Sequence, residues 1–245
     1  MACKRSGAVL SDASSIWVVT LIFQCKNLSI RSPAPTSFAC AGGAHGTSYF
    51  AMFSTARPIL FPHLFPGRLL MTDLDRFPDW PTALAALPPR SGVVLRDYAH
   101  AQRQVLAQEM ARLCRQYGHR FFVGENVGLA IKLGAGFHAP ARSVRTALPP
   151  CLRGKSLAAA HDRAEIDRAA QCGFDGVLIS PVFPTTTHVG ARGLGVFNFL
   201  ALAQHAKAHG LVVYALGGVT EARFKRLAAS GALTGYAGIS AFNAR

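Results

Sequence analysis

Several stretches of this chain carry side chains whose type and spacing suit chemistry on a small anion. Residues 215–220, Ala-Leu-Gly-Gly-Val-Thr, run from apolar residues through Gly217 and Gly218 into a helical pattern, and residues 238–240, Gly-Ile-Ser, place Ile239 and Ser240 behind another glycine. Backbone free of side chains at such points lets amide N–H groups at a helix start face an anion. A tight turn needing positive φ is the plain alternative. Residues 180–188, Ser-Pro-Val-Phe-Pro-Thr-Thr-Thr-His, lead an apolar run into a loop of hydroxyls. Hydroxyls such as those of Thr185 and Thr187 can donate to phosphate oxygens. His188 can add charge or move a proton, against the plain reading of a surface loop of turn-formers. His161 follows three alanines, which leave room for a ligand, although a lone histidine also serves as a cap or packing residue. Arg96 beside Asp97 forms a rim ion pair or an anion clamp, since a guanidinium donates two parallel hydrogen bonds.

These residues need a scaffold, and the chain from residue 67 onward supplies a regular one. Short apolar runs rich in β-formers occupy 68–74, 92–98, 120–125, 136–139, 155–160, 176–182, 212–217 and 235–240. Helical apolar periods occupy 99–117, 161–172, 197–209 and 221–229. Gly118, Gly134, Gly173, Gly210 and Gly231 stand where helix-terminating glycines are expected. Eight buried-type strands alternating with helices mean parallel β/α units, which close into a compact (β/α)₈ TIM barrel. An open doubly wound sheet usually carries GxGxxG after its first strand, and this chain has none. Barrel chemistry sits at the C-terminal ends of the strands. That rule selects Thr72, Asp73, Arg96, Asp97, Tyr98, Glu125, Asn126, His138, His161, the 181–188 segment, Gly217–Gly218 and Ser240.

Residues 1–60 differ: one acidic residue, Asp12, clusters of Ser, Pro and Gly, and no persistent period. They read as a poorly ordered extension, or as the product of an upstream start with Met52 as the alternative first residue. The barrel domain spans 67–245. No apolar run approaches the ~20 residues of a membrane helix. The run at 16–23 fits a signal peptide poorly, because four polar residues separate it from Lys4 and Arg5. A cytoplasmic chain is expected, with no membrane partner. The six cysteines form no CxxC pair, which points to neither a zinc site nor a disulfide framework. The net charge of +14 is spread thinly, mostly as arginine, with no nucleic-acid motif. A basic surface can serve phosphorylated metabolites, so no nucleic-acid partner is expected. A homo-oligomer is left open.

The run from 158 to 243, with SPVFPTTTH, LGVFNF, YALGGVT and AGISAF, closely resembles the thiamine phosphate synthase/TenI family. LLMTDL (69–74), GVVLR (92–96) and NVGLAIKLGAGFH (126–138) extend the resemblance more loosely to 67–243. It implies an enzyme of thiamine biosynthesis that binds a thiazole phosphate. The phosphate contacts implied are Gly217, Gly218, Ile239 and Ser240, with polar contacts from Thr185 and Thr187.

The synthase of the family joins a pyrimidine pyrophosphate to the thiazole phosphate with Mg²⁺ on the departing pyrophosphate. Against that pattern the chain departs. A Gln-x-Arg-x-Lys motif becomes Val94, Arg96 and Tyr98; an Asn-Asp pair becomes Gly124 and Glu125; a serine becomes Ala159; a loop lysine becomes His188; and no aspartate stands near 139–144. Glu125 alone makes a thin Mg²⁺ site. The TenI branch implies a thiazole tautomerase that moves a proton and needs no cofactor. Its proton-transferring histidine maps onto His161, with His188 beside it as a second candidate and Arg96 holding the substrate carboxylate. The expectation is therefore a TenI-like tautomerase. A divergent, Mg²⁺-using synthase and a non-catalytic phosphate-ligand binder are the alternatives.

Overall fold

The computed structural model describes residues 65–184 and 193–239. The expected extension over residues 1–60 lies outside them. All described residues fall within one unit, Met52–Arg245.

Eight parallel strands are present: β1 (Arg68–Met71), β2 (Gly92–Leu95), β3 (Arg120–Gly124), β4 (Gly136–Ala139), β5 (Ser156–Ala160), β6 (Gly176–Ile179), β7 (Val212–Leu216) and β8 (Gly235–Gly238). Each pairs with the next, and β8 returns to β1 with Leu69 opposite Ala237, closing the barrel. Six α-helices lie between them among the described residues: α1 (Trp80–Ala85), α2 (Arg103–Gln116), α3 (Val127–Lys132), α4 (Arg163–Gln171), α5 (Gly195–Ala208) and α6 (Glu221–Ala228). The β4–β5 connection has only two single 3₁₀ turns, Ala141–Ser143 and Pro150–Leu152. The expected strands are all present, one to three residues shorter than their apolar runs at most C-terminal ends. Those extra residues are the ones that leave the barrel wall to form its mouth.

The interior is filled in layers, and the sequence shows how. Every even-numbered strand begins with glycine: Gly92, Gly136, Gly176 and Gly235. A Cβ at Gly92 would stand 2.4 Å from Leu69 Cδ2, at Gly136 2.3 Å from Phe122 Cδ1, and at Gly176 2.1 Å from Val212 Cγ2. Large side chains of the odd strands thus occupy the space that the even strands vacate, as alternate-strand layering requires. Two residues along, the even strands place Val94, His138, Leu178 and Ala237 on the same inward face; all four are buried. His138 therefore holds a position that its three counterparts fill with aliphatic groups.

Outside the barrel wall, Val93, Leu95, Val123, Val177 and Val213 pack against Met110, Ile166 and Phe199 of the helices. The five helix-following glycines all have positive φ, between 64° and 83°. A Cβ at Gly118, Gly134 or Gly231 would touch nothing, so backbone conformation rather than space calls for glycine there.

Candidate active site

At the β7 end of the barrel, the chain turns through Gly217 and Gly218 with φ of 94° and 63°. The segment after β6 is laced onto this turn. Val182 N–H donates to Leu216 O at 2.9 Å and Phe183 N–H to Gly217 O at 3.1 Å. On its other side, the N–H groups of Leu194 and Gly195 donate to Pro181 O and Val182 O at 2.8 and 3.0 Å. A Cβ on Gly218 would stand 2.9 Å from both Phe183 Cβ and Pro184 O. Gly218 is thus required by conformation and by space together. Thr220 caps α6, its hydroxyl accepting from Arg223 N at 3.3 Å. Arg223 then folds back: Nη1 donates to Gly218 O at 2.6 Å and the guanidinium lies 4.5 Å over the Phe183 ring. A fixed cation beside two partly buried glycines and a helix start is an arrangement suited to an anion. Ile239 packs on the barrel-interior cluster next to it. Thr185, Thr187, His188 and Ser240 lie outside the described residues.

The β1–β4 side of the mouth is built differently. The Thr72 hydroxyl donates to Asp97 Oδ2, Leu74 N–H donates to Asp97 Oδ1 at 2.8 Å, and Arg96 N–H donates to Thr72 Oγ1 at 2.9 Å. Asp97 is taken up in locking β1 to β2, and of the two readings of Arg96 the rim ion pair is not formed. Among the described residues the Arg96 guanidinium makes no hydrogen bond or ion pair. It stands just past the end of β2, two residues after the inward-facing Val94, and its charge reaches His138. Below it His138 is 3% exposed, and neither ring nitrogen has a hydrogen-bond partner among the described residues. Burial, reinforced by the Arg96 charge, brings the His138 imidazole down to about 4. A buried polar group left unpaired costs about 1–3 kcal/mol, and such orphans are usually met by water or a ligand.

The residues on this side do not fit Mg²⁺. Glu125, the one weak metal candidate of the sequence, accepts from Arg142 Nη2 at 2.8 Å. A guanidinium stands where a second carboxylate would be needed. Glu125 itself has a left-handed backbone, φ 65°, uncommon for a residue with a side chain. Beside it the Tyr98 ring fills the space over Gly124, where a Cβ would stand 2.9 Å from Tyr98 Cε1. Arg103 binds this arrangement together, donating to Gly124 O at 2.6 Å and Asp97 O at 3.1 Å, with its guanidinium 5.7 Å from the Tyr98 ring centre. Desolvation in that position raises the Tyr98 hydroxyl and lowers the Arg103 guanidinium from their ordinary values.

His161 stands at the end of β5 with its side chain half exposed. Its N–H and its Nδ1 both meet Glu165 Oε2, at 2.7 and 2.9 Å. Glu165 N–H in turn donates to the helix-capping Asp162 at 2.9 Å, a variant of the capping box. Holding Nδ1–H on a carboxylate leaves Nε2 with a lone pair, the pattern that orients an imidazole for proton transfer. The neighbouring Ala159 is partly exposed, unlike the rest of its strand.

Two residues of this site were not singled out as site residues from sequence. Arg223 stood in a helical pattern, where an arginine reads as a solvated face. His138 was marked only as a strand end. A histidine inside a four-residue buried strand was its one signal.

The closed eight-stranded parallel barrel, with helices between its strands, defines a (β/α)₈ barrel protein. The family model for thiamine monophosphate synthase matches residues 81–242, and the chain belongs to that family. Over 138 residues it is 32% identical to the thiamine-phosphate synthase of Geobacillus kaustophilus, covering 54% of this chain and 61% of the relative. It is 31% identical over 127 residues to that of Bacillus velezensis, covering 49% and 54%. The matches thus span between half and two thirds of these relatives' length. The fold is that of thiamine phosphate pyrophosphorylase from Pyrococcus furiosus, with a TM-score of 0.58 at 21% identity over 74% of this chain and 88% of that one. An HpcH/HpaI aldolase from Desulfitobacterium hafniense shares it at a TM-score of 0.52 and 14% identity, over 73% of this chain and 89% of the aldolase. One barrel carrying such different names leaves function to the site. No helix among the described residues is long and apolar enough to cross a membrane.

Proposed function

We propose that this chain is an enzyme of thiamine biosynthesis that acts as a metal-independent thiazole tautomerase. The observation that carries the reading is the contrast between the two sides of the mouth. The phosphate side keeps Gly217, Gly218 and Arg223 in one cradle. On the pyrophosphate side, Tyr98 covers Gly124 and Arg142 neutralises Glu125. The family's synthase reaction places a metal on the departing pyrophosphate, and Glu125, already paired with Arg142, is a poor ligand for one.

In the proposed reaction the ligand's phosphate sits on Gly217–Gly218, with Arg223 adding charge, and its carboxylate meets Arg96. His161 Nε2, oriented by Glu165, takes a proton from one position of the ring, and the protonated imidazole returns one at another. The ring becomes aromatic with no redox change and no leaving group. Histidine suits this step because its charge changes near neutral pH. His138 offers an unpaired nitrogen to the part of the ligand that reaches below Arg96. The proposed partner is thus a phosphorylated thiazole, and the proposed setting is cytoplasmic.

The test is turnover by His161→Ala. The expected loss is about 10²–10⁴-fold in rate, with phosphate-ligand affinity within a factor of a few. Full activity in this variant would remove His161 from the mechanism. A Mg²⁺-dependent synthase is the second reading, favoured by the names of the relatives.

A further inference from the structure

On the outer wall of the barrel, away from the mouth, Asp167 of α4 faces His205 of α5 and His209, which caps the C-terminal end of that helix. His205 and His209 are four residues apart, which places them one above the other on a single helix face. Their rings meet edge to face, 4.8 Å between centres. Both turn the same nitrogen to the same atom: His205 Nε2 lies 2.6 Å and His209 Nε2 2.9 Å from Asp167 Oδ1. Three ligating atoms lie within 4.8 Å of one another, on two packed helices. Side-chain exposure of 18% at His205, 36% at Asp167 and 40% at His209 leaves an open approach.

We infer that Asp167, His205 and His209 form a binding site for a divalent zinc-class cation. Two imidazoles and one carboxylate are a donor set for zinc, cobalt or nickel, and too nitrogen-rich for Mg²⁺ or Ca²⁺. Zinc bonds of about 2.0–2.1 Å separate tetrahedral ligand atoms by about 3.3 Å. The two nitrogen–oxygen spacings, 2.6 and 2.9 Å, are tighter than that, because the two N–H groups now donate to one oxygen. The ion would take the place of those protons, which small side-chain rotations allow at this exposure. Water would fill the fourth position from the open side.

The site's position indicates its role. His209 ends α5 just before β7, toward the N-terminal ends of the strands, whereas barrel chemistry lies at the opposite ends. The ion would tie α4 to α5, the helices that follow β5 and β6, and so act as a structural clip. The inference stands whether or not the tautomerase reading holds.

The experiment uses the full chain, stripped with chelator and titrated with Co²⁺ and Zn²⁺. The expected result is one equivalent of Co²⁺ giving a visible tetrahedral d–d band, and a rise of about 5 °C in unfolding midpoint with excess Zn²⁺. Both are expected to vanish in His209→Ala and in Asp167→Asn. In the unaltered chain, Co²⁺ should shift the imidazole proton resonances of His205 and His209 before those of other histidines, a readout independent of how the variants fold. Equal stoichiometry and band in the chain and both variants, or His205 and His209 resonances unmoved by Co²⁺, would overturn the site.

Discussion

The two sides of the barrel mouth use different materials. The β7–β8 side is made chiefly of backbone: two glycines with positive φ, a close approach of Phe183 and Pro184, and one arginine folded onto a carbonyl. The β2–β4 side is made of side chains: Arg96, Tyr98, Arg103, Glu125, His138 and Arg142. Backbone cradles recognise one kind of group and tolerate little change, because any side chain clashes or strains the turn. A side-chain surface can be reassigned residue by residue. On the reading proposed here, the backbone half keeps the motifs on which the family resemblance rests and the side-chain half departs from them. The departures form a set, since Tyr98 fits only because residue 124 has no Cβ, and Glu125 gains its partner only because Arg142 follows β4.

The largest effect should come from damaging the backbone half. Gly218→Val forces a β-branched residue into positive φ and against Phe183, and is expected to weaken thiazole-phosphate binding at least ~100-fold, about 3 kcal/mol. Calorimetric titration of the folded variant checks it; unchanged affinity would mean the phosphate binds elsewhere.

The side-chain half should show itself through pH. His138 is held neutral in the folded chain down to about 4, whereas an unfolded histidine takes its proton near ~6.5. Below that value the unfolded chain binds more protons, so stability falls as pH drops from about 6.5 to about 4, by up to about 3 kcal/mol from this group. His119, lowered by its own burial, adds in the same direction. His138→Leu, which copies Leu178 of β6, should flatten that acid slope and stabilise the chain at pH 5, while weakening ligand binding. Urea unfolding at pH 7, 5.5 and 4.5 reads the first two effects.

Smaller changes sharpen the contrast. Arg96→Gln should cost about tenfold in affinity for a carboxylate-bearing ligand, the loss of one charge-assisted contact. It should also raise the His138 imidazole toward its ordinary value, visible by NMR titration. Arg142→Asp restores a second carboxylate beside Glu125. It is expected to let Mg²⁺ raise the unfolding midpoint by about 2 °C where the unaltered chain gives no shift.

Much of the scaffold was legible because its signals are local. Each strand is a short apolar run, and Gly118, Gly134, Gly173, Gly210 and Gly231, all of positive φ, close the helices before them. Helix α1 gave no sequence signal and α3 only its closing Gly134; each has six residues, too few for a helical period to accumulate. The β4–β5 connection gave no helical period and has only 3₁₀ turns. In the site, the glycine cradle could be read because turn, glycines and helix start are contiguous. His138 and Arg223 could not, because what makes them matter is distant in sequence. His138 lacks a partner only when the closed barrel surrounds it, and Arg223 finds Phe183 only when β6 and β7 lie side by side. The Asp167–His205–His209 cluster was hidden for the same reason: a search for cysteine pairs passes over two histidines whose third partner lies on another helix.

The most direct test is a pair of assays on the same preparation. With metal chelated, the thiazole tautomer should be converted to its aromatic form. With Mg²⁺, pyrimidine pyrophosphate and aromatic thiazole phosphate should give no thiamine phosphate. Mg²⁺-dependent formation of thiamine phosphate would contradict the account and show that the Tyr98–Arg142 side handles pyrophosphate after all.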